Sequence, residues 1–176
     1  PPPPPTEPPQ PYINVQQIIL INEIQIAGLE DEKEEFVELY NPTDLDIDLT
    51  GWYLQRKTKT GASFSSYAPS TLFSGKKILA KKYLLISRSG YFAGSADIFV
   101  DYPLTQDNTV VLKNSQGEII DKVGFGSVQD YETTPVQNPV QGKSIERKQV
   151  GLDSNNNSDD FQTLDNPTPM GAGYEL

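Results

Sequence analysis

The chain has 176 residues, 24 acidic against 14 basic side chains and a formal charge of -10, with neither histidine nor cysteine. That length suits one domain able to bury a core without covalent staples. Without cysteine there is no disulfide framework, thiolate zinc site or thiol nucleophile, and without histidine the commonest general base is missing. The acidic balance disfavours wholesale binding to nucleic acid, which needs Lys and Arg to neutralise phosphates. No apolar run, residues 18–21 included, approaches the roughly 20 residues of a membrane-spanning helix. No leader segment is visible, and a sequence that begins at Pro1 is expected to be part of a longer chain whose targeting signal lies elsewhere.

Residues 1–11 carry eight prolines. Proline fixes φ and donates no backbone hydrogen bond, so this stretch reads as a polyproline II rod, a semi-rigid spacer that cannot join a core. From residue 18 the pattern changes to short β-type runs divided by turn residues. IILINEIQIAG is rich in branched residues and stops at Gly28. FVELYNP puts Val37 and Leu39 on one face, with Phe36, Glu38 and Tyr40 on the other, and ends at Asn41-Pro42. DLDIDLTG reads as a turn before GWYLQRK. SFSSYA, KYLLISRS and ADIFVDYP follow, the second with an apolar centre that implies burial on both faces. Ser115-Gln116-Gly117 joins two apolar-rich runs as a hairpin, and KSIERKQ is a late strand. Eight to ten strands, no sustained helical period and 28 Gly plus Pro residues imply an all-β, two-sheet sandwich. Trp52, the sole tryptophan, alternates with Leu54 and is expected to fill the gap between the sheets.

Several patches together resemble the lamin tail domain. They are Ile21-Asn22-Glu23-Ile24, the run from Glu35 through Pro42, Leu49-Thr50-Gly51-Trp52-Tyr53-Leu54, and Val110-Val111-Leu112-Lys113-Asn114. Gly117-Glu118-Ile119-Ile120-Asp121-Lys122-Val123, Ser144-Ile145-Glu146-Arg147, the run from Asp153 through Phe161, and Pro167-Thr168-Pro169 complete the set. Order and spacing carry the likeness, over roughly residues 18–170. It implies an immunoglobulin-like sandwich with a binding or assembly role and no activity of its own. The closing Pro-Thr-Pro-Met departs from the family's habit of Gly after the second Pro, so the chain exit is expected to differ. A proline rod rather than a coiled coil precedes the domain, which is similar to bacterial members found as modules of secreted or surface proteins, sometimes beside nucleases and other hydrolases. The organisation expected is a linker at 1–14, a sandwich at 15–170 and a tail at 171–176, at a bacterial cell surface or outside the cell.

Five features bear on chemistry. Glu35 and Glu38, three apart on a strand, point to opposite faces and cannot converge on one substrate atom. Asp153, Asn155, Asn157 and Asp159 offer oxygens at alternating positions, as a Ca²⁺ loop does, although Ser158 stands where such a loop wants Gly and Leu164 where it wants Glu. The competing reading is a loop whose side chains satisfy their own backbone. Arg56, Lys57, Lys59, Lys76, Lys77, Lys81 and Lys82 form a basic stretch that would suit DNA or another anionic polymer if both segments shared a face. Glu23 or Glu38 with Asn22 or Asn41 and Lys122 holds the ingredients of an isopeptide crosslink. Tyr67, Tyr91, Phe92 and Tyr131 would stack on sugar rings if exposed. The favoured reading is a non-catalytic module that binds a protein or cell-envelope component, with no cofactor unless calcium fills that loop.

Overall fold

The computed structural model describes residues 18–90 and 96–169. The proline-rich segment, Tyr91, Phe92 and the segment 171–176 lie outside the described residues.

Strands are numbered in chain order. One sheet holds β1 (Leu20–Gln25), β2 (Phe36–Tyr40), β7 (Tyr83–Arg88), β8 (Ile98–Val100), β11 (Ser144–Arg147) and β12 (Phe161–Leu164), in the order β12-β11-β1-β2-β7-β8. Its pairs are antiparallel except β7 with β8. The facing sheet holds β4 (Tyr53–Thr58), β5 (Ser65–Ala68), β9 (Asn108–Lys113) and β10 (Ile119–Phe125), all antiparallel in the order β10-β9-β4-β5. A ribbon of β3 (Ile47–Asp48) and β6 (Lys77–Ile78) stands at the side, and the helical content described is a 3-10 turn at Ser70–Phe73 and one turn, α1 (Asn157–Asp160). The two-sheet sandwich expected from the strand pattern is therefore the fold. The 46–49 stretch read as a turn also contributes β3, because Ile47 and Leu49 alternate inward and are both buried.

Period-two alternation sends one face of each strand into a shared core. Ile21, Ile24, Val37, Leu39, Leu84, Ile86 and Ile145 meet Leu54, Val110, Leu112, Val123 and Phe125 across the gap. Trp52 lies in that core, 2% exposed, its N–H bonded to the Leu49 carbonyl across a turn where Gly51 takes φ +86°. The outward face of the six-stranded sheet is also buried at Leu20, Glu23, Phe36, Glu38, Leu85 and Ser87, so β1, β2 and β7 are covered on both sides. β11 lies between β1 and β12, which makes the chain beyond residue 140 part of the sheet that the first strand begins.

Candidate functional site

A bulge in β10 between Ile119 and Asp121 turns Asp121 into phase with Val123 and Phe125, so a carboxylate enters the core edge between the sheets. Opposite it, β11 places Arg147 in phase with Ile145. Both side chains are fully buried. Arg147 Nη2 donates to both Asp121 oxygens, at 3.0 and 2.8 Å, and Nε donates to the Ile21 carbonyl at 2.9 Å. Ile21 N–H and Lys122 N–H also donate to Asp121, at 2.6 and 2.7 Å. Burial pushes the Asp121 carboxyl up, and the Arg147 charge and the hydrogen bonds from Ile21 N–H and Arg147 oppose that rise. The guanidinium also stacks 4.8 Å from the Phe161 ring centroid.

Three more carboxylates gather here. Asp153 and Asp160 each lie 3.4 Å from Arg147 Nη1. Ser154 N–H and Oγ bind Asp160 and hold it below the usual range despite its burial. Oxygens of Asp121, Glu132 and Asp153 fall within 4.8 Å of one another. Burial, then the charges of Asp121 and Asp153, push Glu132 up to about 7. The cation at the centre of these acids is Arg147 itself. This cluster opens into a cleft of about 850 Å³ whose lining includes Glu132, Asp153, Leu152 and Ile119.

Of the oxygen-rich loop, Asp153 faces Arg147 and accepts the Asn155 N–H. Asn155 sits at φ +57° with an exposed side chain. Asn157 is buried: Oδ1 accepts Gly124 and Glu132 N–H groups, and Nδ2 donates to the Lys122 carbonyl and to Glu132. Asp159 is exposed and bonds Asn156. The loop thus ties α1 to β10 through Asn157, while Asp153 and Asp159 take separate partners and the Asn155 side chain is exposed.

The basic residues are dispersed. Arg56 is in phase with Trp52 and Leu54, and its Nε is buried without a hydrogen-bond partner. Lys57 turns outward, 3.7 Å from Asp130, and Lys59 lies 3.9 Å from Asp107. Lys77 pairs with Asp46 at 3.8 Å and Lys81 with Asp44 at 3.2 Å, while Lys76 is half-buried and Lys82 exposed. Glu35 accepts from Arg88 at 2.7 Å and Leu104 N–H at 2.6 Å, whereas Glu38 accepts from Asn22 at 2.9 Å, so the two acids serve different partners. Asn41 clamps the carbonyls of Leu45, Ile78 and Leu79. Lys122, the lysine of the isopeptide set, is bound 2.8 Å from Asp130, on a strand of the sheet opposite Asn22 and Glu38. Tyr67 corrects the aromatic expectation: it is buried in the core and cannot stack on a sugar, while Tyr131 is 39% exposed.

The Asp121–Arg147 lock went unread in the sequence, although a signal was present. Arg147 two residues after Ile145, and Asp121 two before Val123, put opposite charges in the core-facing phase of their strands.

No curated protein sequence matches the chain. The family model described as Lamin Tail Domain matches residues 15–127, which spans β1 through β10 and covers well over half of the chain. With the sandwich described above, that match places the chain in the lamin tail domain family.

Proposed function

We propose that this lamin tail domain is a holding module: it binds or anchors a component of a bacterial surface or secreted protein assembly and carries out no chemistry itself. The observation that supports this best is how its buried ionisable groups are employed. Asp121 and Arg147 cross-link the sheets, Glu35 binds Arg88 and a backbone N–H, and Glu23 accepts from Ser144 and Thr168. A catalytic acid or base must be free to exchange protons with a substrate, and these are committed to the fold. The missing histidine and cysteine argue the same way. The proline-rich segment 1–14 acts in this reading as a spacer that holds the sandwich away from a neighbouring domain or surface.

The anionic-polymer reading has less support. Lys57, Lys59, Lys77 and Lys81 already have carboxylates of the same chain beside them, which lowers the local positive potential that phosphate contacts require.

The test is retention of a bacterial envelope fraction on immobilised 176-residue chain, against an unrelated sandwich of equal charge. Selective retention with a monomeric chain supports the module. A chain that retains nothing, or that turns over a hydrolase substrate at a rate abolished by a single carboxylate change, overturns it.

A further inference from the structure

The cleft beside the Arg147 cluster combines aliphatic walls with an acidic end. Its walls come from the start of β1 and the start of β10, with Ile18, Leu20, Ile119 and Ile120, and from Leu152 in the loop beyond β11. Ile18 is 39%, Ile119 48% and Leu152 49% exposed, so three large aliphatic side chains face solvent around one depression. Exposed apolar groups gathered around a concavity mark an interaction site more often than the same groups scattered.

One end of the cleft is acidic. Glu132 and Asp153 line it, with Asp121 close behind and Asp160 beyond Arg147. Against three aspartates, and Glu132, which with its carboxyl pushed up to about 7 is only partly ionised near neutral pH, stands the single Arg147 guanidinium. The one lysine of the lining, Lys122, is held by Asp130 at 2.8 Å and adds no net positive charge. The balance therefore asks for a cation, and the apolar walls ask that the cation arrive on a hydrocarbon stem. Lysine and arginine side chains have that construction, burying their methylenes and presenting a charged head.

The shape adds a further constraint. At about 850 Å³ the cleft takes several side chains rather than one. β10 is the end strand of its sheet, and its first residues, Ile119 and Ile120, form one bank. Asn157 and Val136 already occupy the outer edge of β10 from Lys122 to Gly126, so an extended segment is held here by the alternate side chains it sends into the groove.

We propose that this cleft is the docking groove for an extended basic segment of a partner protein. In it, a Lys or Arg lays its stem along Ile119, Ile120 and Leu152 and sets its charged head against Glu132 and Asp153. The proposal rests on the holding-module reading and names the chemistry of the partner.

The experiment uses the full chain and a fluorescent octapeptide of alternating lysine and valine, read by anisotropy. Companion peptides carry glutamate for lysine or serine for valine. Saturable binding is expected for the lysine–valine probe alone, weakening as salt rises. Leu152→Asp and Glu132→Lys, both on accessible side chains, are expected to reduce affinity at least ten-fold. Leu79→Asp, on an exposed residue outside the cleft, should leave it unchanged. Amide shifts confined to residues 118–122 and 151–155 in the bound protein would place the peptide in the groove, and unchanged thermal melts would exclude misfolding of the variants. Equal binding of the serine peptide, or undiminished binding by Leu152→Asp, overturns the groove. So does a concentration-dependent dimer abolished by Leu152→Asp, since a second copy would then be the occupant. Envelope retention that survives Leu152→Asp overturns the groove and leaves the holding module standing, whereas loss of retention by the unmodified chain defeats the module itself.

Discussion

Arg147 on β11 and Asp121 on β10 form a two-pronged ion pair, 2.8 and 3.0 Å, that joins the six-stranded sheet to the four-stranded one. Neither side chain reaches water, so each is the other's principal charge partner. Removing one leaves an uncompensated buried charge. Arg147→Met is expected to cost about 3–5 kcal/mol, and Asp121→Asn a comparable amount. Arg147→Met combined with Asp121→Leu should cost clearly less than the two single changes summed, because the second removes the orphan that the first creates. Urea unfolding of the four proteins gives the coupling energy, and an additive result would show the pair to be independent.

Glu132 titrates near 7 in the folded chain, against 4.5 for an ordinary glutamate. A raised carboxyl pKa means that the folded state holds the proton more tightly than the unfolded one. Its contribution therefore favours folding below pH about 4.5 and fades as pH climbs to about 7. Glu132→Gln keeps an acceptor for Asn157 and removes the titration. The variant should match the parent at pH about 4 and exceed it at pH about 8 by about 1 kcal/mol, a figure reduced for partial exposure. Denaturant melts at both pH values decide it.

Tyr67 is wholly buried and its hydroxyl has no hydrogen-bond partner. Burial pushes that hydroxyl's pKa far up, with the Glu35 charge adding to the effect. Deleting the oxygen leaves the ring's packing intact and relieves an unsatisfied polar atom. Tyr67→Phe should be neutral or stabilising by up to about 1 kcal/mol. A loss larger than that in thermal or urea unfolding would contradict the assignment.

Asn157 makes four hydrogen bonds that fasten α1 to β10 and to Glu132. Asn157→Ala should cost about 2–3 kcal/mol through the buried groups it strands. The same commitment bears on calcium: with Asn157 engaged, the melting midpoint should be equal in chelator and in millimolar calcium. A ligand that bound only the folded state would raise it.

The sequence made the sandwich legible because alternation and turn residues are local. The hairpin through Ser115-Gln116-Gly117 became β9 and β10, and the apolar centre of KYLLISRS became β7, covered on both faces. What was not legible depended on distant partners. β2 was read as two faces, Val37 and Leu39 against Phe36, Glu38 and Tyr40, and Phe36 and Glu38 are as buried as Val37, since chain elsewhere covers that side. The lysines looked like a patch as a string of letters. Their carboxylates, Asp44, Asp46, Asp107 and Asp130, come from other segments and appear only when the loops fold together. The acid loop was noticed for its oxygens, yet its charge partner, Arg147, belonged to a stretch read only as a late strand and part of the family resemblance.

β1 lies between β2 and β11, and Glu23 on it bonds Ser144, 121 positions later. The first described strand of the domain is then among the last to be fully paired. Until β11 arrives, one edge of β1 and the apolar face behind it stay open, and closing so long a loop is slow compared with forming the hairpins on either side. A chain stopped near residue 127 would retain the family's matched segment and lack β11 and β12, the two strands that complete its sheet. Folding of this domain is therefore gated by its last quarter, and proteolytic sensitivity during synthesis should persist until those residues have emerged.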